Sequence, residues 1–199
     1  IRTCGLSNEM VQRILNIAKK YHSATDPFID GRAITQPSSI DHMDEFGLSP
    51  QMQKLIRDTR EVVPDVMEYV KTTGAQAEKI NIFMADLEER EILRKELMAM
   101  PELSISSSMY NNLEVNAKGA DKGSALLWLA DHLGISREET MAFGDGENDI
   151  PMIKAAGIGV AMENALDTVK EAADTITLNN DEDGVAAAIR KFIFGSSEE

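Results

Sequence analysis

Met141-Ala142-Phe143-Gly144-Asp145-Gly146-Glu147-Asn148-Asp149 joins a short apolar segment to the densest polar cluster of the chain. A short apolar strand, Thr140–Phe143, runs into a Gly-Asp-Gly turn, and Asn148 and Asp149 open a helix expected around Ile150–Ala156. Ligands of open α/β sheets bind outside the carboxyl ends of the strands, and Asp145 falls at that end. A carboxylate there, between glycines that let a ligand approach the backbone, suits a hard cation such as Mg²⁺. Asn148 and Asp149 lie where backbone N–H groups and the helix dipole favour an anion. The plainer alternative is a solvated acidic turn with a helix cap. An EF-hand loop is excluded, because counting from Asp145 puts Ile150 where a Gly is required and Ala156 where a Glu is required.

Outward from this stretch, the second half of the chain alternates helix and strand. A helix Ser124–Leu133 stops at Gly134, strands follow at Ile158–Ala161 and Thr175–Leu178, and helices at Ala165–Ala173 and Val185–Phe192. Strands separated by helical segments imply βαβ crossovers and a parallel sheet covered on both faces. The first half is less regular. Met10, Val11, Ile14, Leu15 and Ala18 form one apolar helical face behind a Ser7 or Asn8 cap. Asp30-Gly31 between Pro27-Phe28-Ile29 and Arg32-Ala33-Ile34 predicts a hairpin. Residues 37–69 read as polar and helical, broken by Pro50 and Pro64. Lys79–Met84 alternates like a half-buried strand, Asp86 caps a helix Leu87–Met98 ahead of Pro101, and strands at Leu103–Ser108 and Leu113–Val115 join through Tyr110-Asn111-Asn112.

The 199 residues allow one large domain or two modest ones. A net charge of −14 repels phosphate backbones and anionic lipid heads, which argues against nucleic-acid and membrane-surface binding. An apolar fraction of 43% is too high for a disordered chain. No apolar run approaches the roughly 20 residues of a membrane-spanning helix. The single cysteine, Cys4, excludes an internal disulfide and points to a reducing, cytoplasmic compartment. His22, His42 and His132 are too scattered in sequence for a zinc motif. No oligomeric state follows from these features.

Lys122, in Lys118-Gly119-Ala120-Asp121-Lys122-Gly123, is the second candidate. A lysine at the mouth of a helix can neutralise a phosphate or steady a carboxylate nucleophile, although most lysines are solvated surface charges. The order Lys122, one helix, one apolar strand, then Gly144-Asp145-Gly146-x-Asn148-Asp149 resembles the haloacid dehalogenase superfamily of aspartate-nucleophile phosphatases, and within it the Cof-type branch. Ala156-Gly157-Ile158-Gly159-Val160-Ala161-Met162 and Asn179-Asn180-Asp181-Glu182-Asp183-Gly184-Val185 extend the likeness over Asn116–Phe192. It implies an α/β fold: a Rossmann-like parallel-sheet core, its C-terminal half at 117–199, with a large inserted α/β cap at 7–116 and a connection at 1–6. It also implies that Asp145 coordinates Mg²⁺, that Asn148 contacts the bound phosphate, and that Asp149 supports the metal or Lys122. Lys122 would bind the transferring phosphoryl group and the nucleophilic carboxylate. The implied partner is a small phosphorylated metabolite, such as a sugar phosphate or a phosphorylated cofactor.

The family's nucleophile and general acid stand in an Asp-x-Asp-Gly-Thr run closing its first strand, and no such run is present. Asp181-Glu182-Asp183-Gly184-Val185 comes after the Asp145 motif instead of before it, and Asp30-Gly31 has Phe28 where the first Asp belongs. The phosphate-binding Ser or Thr of the second strand is also not identifiable. The expectation is therefore a fragment that starts near the entry to the cap and is inactive by itself. Rival readings are a sucrose-phosphate-type phosphatase or phosphomannomutase, a P-type ATPase cytosolic fragment, and a non-catalytic scaffold used for binding. For the cap, Asp30, Arg32 and the Tyr110-Asn111-Asn112 turn are the candidates for reading the leaving group.

Overall fold

Both central residues of the Asp30-Gly31 turn have positive φ, 51° and 73°, as a tight hairpin turn matched to strand twist requires. They fold β1 (Ser23–Ile29) back onto β2 (Arg32–Thr35) with Phe28 opposite Ala33. The computed structural model describes residues 3–195, and the chain divides into two compact units between Ala120 and Asp121. In the first unit, β3 (Arg60–Val62), β4 (Lys79–Met84), β5 (Leu103–Ser106) and β6 (Asn112–Ala117) complete a six-stranded sheet of order β3-β2-β1-β4-β6-β5. All pairings are antiparallel except β2 with β3.

Helices α1 (Asn8–Ala18), α2 (Pro37–Asp41), α3 (Pro50–Thr59), α4 (Val66–Thr73) and α5 (Leu87–Met98) accompany this sheet. Ser7 caps α1 by accepting from Met10 N–H at 3.2 Å, and Asp86 caps α5 through Glu88 and Glu89 N–H. Val11 and Ile14 of α1, Val70 of α4, and Leu93 and Leu97 of α5 are buried with Ile80, Ile82 and Met84 of β4. Strand alternation turns Asn81 and Phe83 to the opposite face. There Phe83 and Ala24 pack under Met43, Phe46 and Leu48 and Ile56 of α3. Thus β4 is buried on both faces, not half-buried as its alternation suggests. Pro50 likewise starts α3 instead of breaking it, behind the Ser49 cap, because the first helical turn has no use for the N–H that proline lacks. Pro37 stands at the same place in α2. β3 has no signature in the sequence, since Arg60-Glu61-Val62 is a three-residue edge strand with no readable period.

The face of the sheet opposite α1, α4 and α5 also carries a polar network. Arg60 Nε donates to Asp26 Oδ2 at 3.0 Å, Lys79 Nζ donates to Glu114 Oε1 at 2.9 Å, and Asn112 Nδ2 donates to Asn81 Oδ1 at 2.9 Å. The Phe28 ring lies between the two cations, 5.4 Å from Arg60 and 5.0 Å from Lys79. Burial pushes the Asp26 carboxyl above its usual range, against the pull of Arg60.

The second unit holds α6 (Lys122–Leu133), β7 (Met141–Gly144), a 3₁₀ turn Glu147–Asp149, α7 (Ile150–Ala155), β8 (Ile158–Ala161), α8 (Asp167–Ala172), β9 (Thr175–Ile176) and α9 (Gly184–Ile193). The strands pair in parallel in the order β7-β8-β9, with Phe143 opposite Val160 and Val160 opposite Thr175. A small core joins Ile153 of α7, Ala161, Met162 and Val169 of α8. β9 is shorter than the expected Thr175–Leu178, although Thr177 N–H still donates to Ala161 O at 2.9 Å. The expected cover on both faces is incomplete among the described residues: Leu129 and Leu133 of α6 are 48% and 60% exposed, and Phe194 is 71% exposed.

Ile82 is fully buried between β1 and β6 in the helix-covered core. Ile82→Ala is expected to cost about 2–5 kcal/mol, whereas Leu55→Ala, at a 52% exposed position, should stay within about 0.5 kcal/mol. Urea unfolding midpoints of the two variants check the ranking.

Candidate active site

Two missing Cβ atoms bring the site together. A Cβ on Gly144, the last residue of β7, would stand 2.3 Å from Asp149 Cβ, so only glycine lets the Asp149 side chain lie across the strand end. A Cβ on Gly123 would stand 2.3 Å from Pro151 O. The start of α6 therefore packs directly on the start of α7, and Lys122 is delivered to Asp149 across 27 residues of sequence.

Asp149 is the centre of the cluster. Its Oδ1 accepts from Lys122 Nζ, and its Oδ2 accepts from the backbone N–H groups of Asp145 and Gly146, each at 3.1 Å. The Asp149 side chain is 9% exposed and that of Lys122 is 49% exposed. Burial pushes the Asp149 carboxyl up, but the hydrogen bonds from Lys122, Gly146 and Asp145 outweigh it and hold the group below the usual carboxylate range. Both oxygens are engaged, Oδ1 by Lys122 and Oδ2 by the backbone of the turn.

Asp145 differs in each respect. It is exposed at the carboxyl end of β7, and its Oδ2 accepts from Asn164 Nδ2 at 3.1 Å. Its backbone is tied by Leu166 N–H donating to Asp145 O at 3.1 Å. Asn148 is half-buried in the 3₁₀ turn, one residue before Asp149. The helix expected to offer its N-terminus to an anion is α7, only six residues long. The 3₁₀ turn ahead of it uses Asp149 N–H on Gly146 O at 3.0 Å. Lys122 adds a formal positive charge beside this turn.

This donor set fits Mg²⁺, which keeps several waters and binds through one or two carboxylates plus substrate oxygens. Asp145 is the carboxylate available for it. It does not fit a closed structural zinc site, since among the described residues no group of three His, Cys, Asp or Glu is placed to hold a metal.

The remaining candidates fall elsewhere. Asp181 and Asp183 lie in a turn ahead of α9, where Glu182 and Gly184 N–H donate to Asn179 O at 3.2 Å, not at a strand end. Arg32 pairs with Glu61 at 2.6 Å. Asn111 Nδ2 donates to Phe46 O and Tyr110 Oη to Gly47 O at 3.2 Å, so these two hold the α2–α3 segment on the sheet. Two histidines that look scattered in sequence meet on one carboxylate, His22 and His42 binding Glu45 at 2.7 and 2.8 Å. Asn164 belongs to none of the motifs in the sequence. Its available signal was position alone, just beyond the carboxyl end of β8, where ligand-site residues of parallel sheets gather.

Residues 1–189 match the model of the haloacid dehalogenase-like hydrolases, and the chain belongs to that family. The 5-amino-6-(5-phospho-D-ribitylamino)uracil phosphatase YcsE of Bacillus subtilis is 50% identical over 114 residues, which make up 56% of this chain and 46% of that protein. A haloacid dehalogenase-like hydrolase from Bacteroides thetaiotaomicron has a similar structure, with a TM-score of 0.71 and 32% identity over 97% of this chain and 70% of that one. A sugar phosphatase of superfamily subclass IIB gives a TM-score of 0.76 and 27% identity over 95% of this chain and 68% of that one. The matched stretch thus spans about half the length of the curated relative.

The lowered Asp149 carboxyl carries a pH signature. Its stabilising effect is full above the unfolded carboxylate value of about 3.9 and is lost as pH falls through the lower folded value. The difference in urea midpoint between wild type and Asp149→Asn should be full at pH 7 and close below about pH 4. A gap unchanged at pH 2 would contradict the assignment. Gly144→Ala should cost about 1–3 kcal/mol by crowding Asp149, measured in the same way at pH 7.

Proposed function

We propose that this chain is part of a Mg²⁺-dependent phosphatase that hydrolyses small phosphorylated metabolites through an aspartyl-phosphate intermediate. The observation that carries the reading is the Lys122–Asp149 pair beside the exposed Asp145 at the end of a parallel strand. Phosphoryl transfer demands little covalent chemistry from the protein beyond the nucleophile. It needs charge on three equatorial oxygens neutralised and the nucleophile held in line.

Lys122 supplies a fixed cation for the transferring phosphoryl group and orients the nucleophilic carboxylate. Asp149 holds the Lys122 ammonium in place and, because its own oxygens are occupied, does not compete with the phosphate. Asn148 would contact the bound phosphate from the 3₁₀ turn. Asp145 would hold Mg²⁺, which when bound neutralises phosphoryl charge as a Lewis acid. The nucleophile is assigned to no residue of this chain: neither Asp30 nor the 181–183 turn closes a parallel strand. The first unit is read as the cap, expected at 7–116, and 117–199 as part of the core.

The substrate class takes its support from the relatives. One is named for a phosphorylated ribitylaminouracil and another is a sugar phosphatase, and both names describe phosphomonoesters of small polyhydroxylated molecules. A phosphate-release panel of sugar phosphates, ribityl phosphates and nucleotides, run on the whole protein with Mg²⁺, tests this proposal. Turnover of at least one polyol or sugar phosphate is expected, and Asp145→Asn should lower it by about a hundredfold or more, the scale of a lost transition-state charge partner. Undiminished turnover in that variant would refute the metal assignment.

A further inference from the structure

Asn164 joins two segments that the sequence leaves unrelated. Its Nδ2 donates to Asp145 Oδ2 at 3.1 Å, and its Oδ1 accepts from Asn180 N–H at 3.0 Å. The two partners fix the amide's orientation, because a flipped side chain would set its oxygen against a carboxylate and its NH₂ against an N–H donor. An exposed carboxylate such as Asp145 would otherwise rotate freely about χ2. The bond to Oδ2 restricts that rotation and leaves Oδ1 as the oxygen that Asn164 does not engage. The same amide ties Asp145 to the Asn179–Asp183 turn. That link adds to the backbone bond from Leu166 N–H to Asp145 O at 3.1 Å and to the one from Glu163 N–H to Leu178 O at 3.4 Å.

We infer that Asn164 is a positioning residue: it orients the Asp145 carboxylate for a divalent cation and couples that orientation to the Asn179–Asp183 turn. The inference rests on the reading of Asp145 as the metal-holding carboxylate. A neutral amide suits the task. It supplies a donor to the oxygen turned away from the ion without placing a competing positive charge beside it, as lysine would. Outer partners of metal-binding carboxylates typically govern affinity in this way.

The test is Mg²⁺ binding by titration calorimetry on the whole protein, together with the melting temperature of the metal-free form. Asn164→Ala should weaken Mg²⁺ binding by about 10–100-fold and leave metal-free melting unchanged. Asn164→Ser, too short to span both partners, should behave the same way and serves if the alanine variant does not fold. Wild-type Mg²⁺ affinity in Asn164→Ala, with binding lost in Asp145→Asn, overturns the inference and leaves the metal assignment standing. Wild-type affinity in Asp145→Asn overturns the metal assignment, and this inference with it. Failure of both Asn164 variants to fold also overturns it, by making Asn164 a scaffold residue.

Discussion

The Asp149 carboxylate is shared among three donors, an ammonium from α6 and two consecutive amides from the turn after β7. A carboxylate this buried is tolerable only while each oxygen is answered, since removing one partner of a buried pair strands the other charge. The surroundings follow from that need. Gly144 has no side chain because Asp149 occupies its place, and Gly123 has none because α6 must approach α7 closely enough to bring Lys122 in. The turn between β7 and α7 is held taut by its own acidic residue, so Asp145 projects outward from a rigid base.

Elements of the second unit were legible in sequence wherever an apolar strand or a helical period stood between glycines. β7 and β8 and the helix closed by Gly134 fall within a residue or two of where their patterns put them. The resemblance in Lys122, Asp145, Asn148 and Asp149 carried the family, and Lys122 and Asp149 do meet. What stayed hidden was decided by contacts between distant segments. β3 owes its existence to pairing with β2, not to Arg60-Glu61-Val62 itself. The meeting of His22 and His42 on Glu45 depends on how the 3₁₀ turn Met43–Phe46 sits on the sheet. Asn164 stands in no periodic pattern, and its two partners lie 19 residues before it and 16 after it.

The first unit shows how one sheet serves two environments. Strand parity sends Ile80, Ile82 and Met84 to the helices and Asn81 and Phe83 to the other face. The polar face pairs its charges sideways, Asp26 with Arg60 and Lys79 with Glu114, each pair bridging between strands. Cross-strand pairs of this kind fix register, because a slip of one residue would send each charge to the apolar side. The hairpin at Asp30-Gly31 sets the same register from its turn.

The separation of Lys122 from Asp149 has a dynamic side. The pair closes only when α6 lies against the start of α7, so any opening of α6 releases the lysine and unburies the carboxylate in one movement. Amides whose partners depend on such closure exchange their hydrogens through the local opening equilibrium. The Asp145 and Gly146 N–H groups both donate to that carboxylate. Their protection against exchange would therefore measure the free energy of opening the cluster, and with it the fraction of molecules in which the carboxylate is unburied.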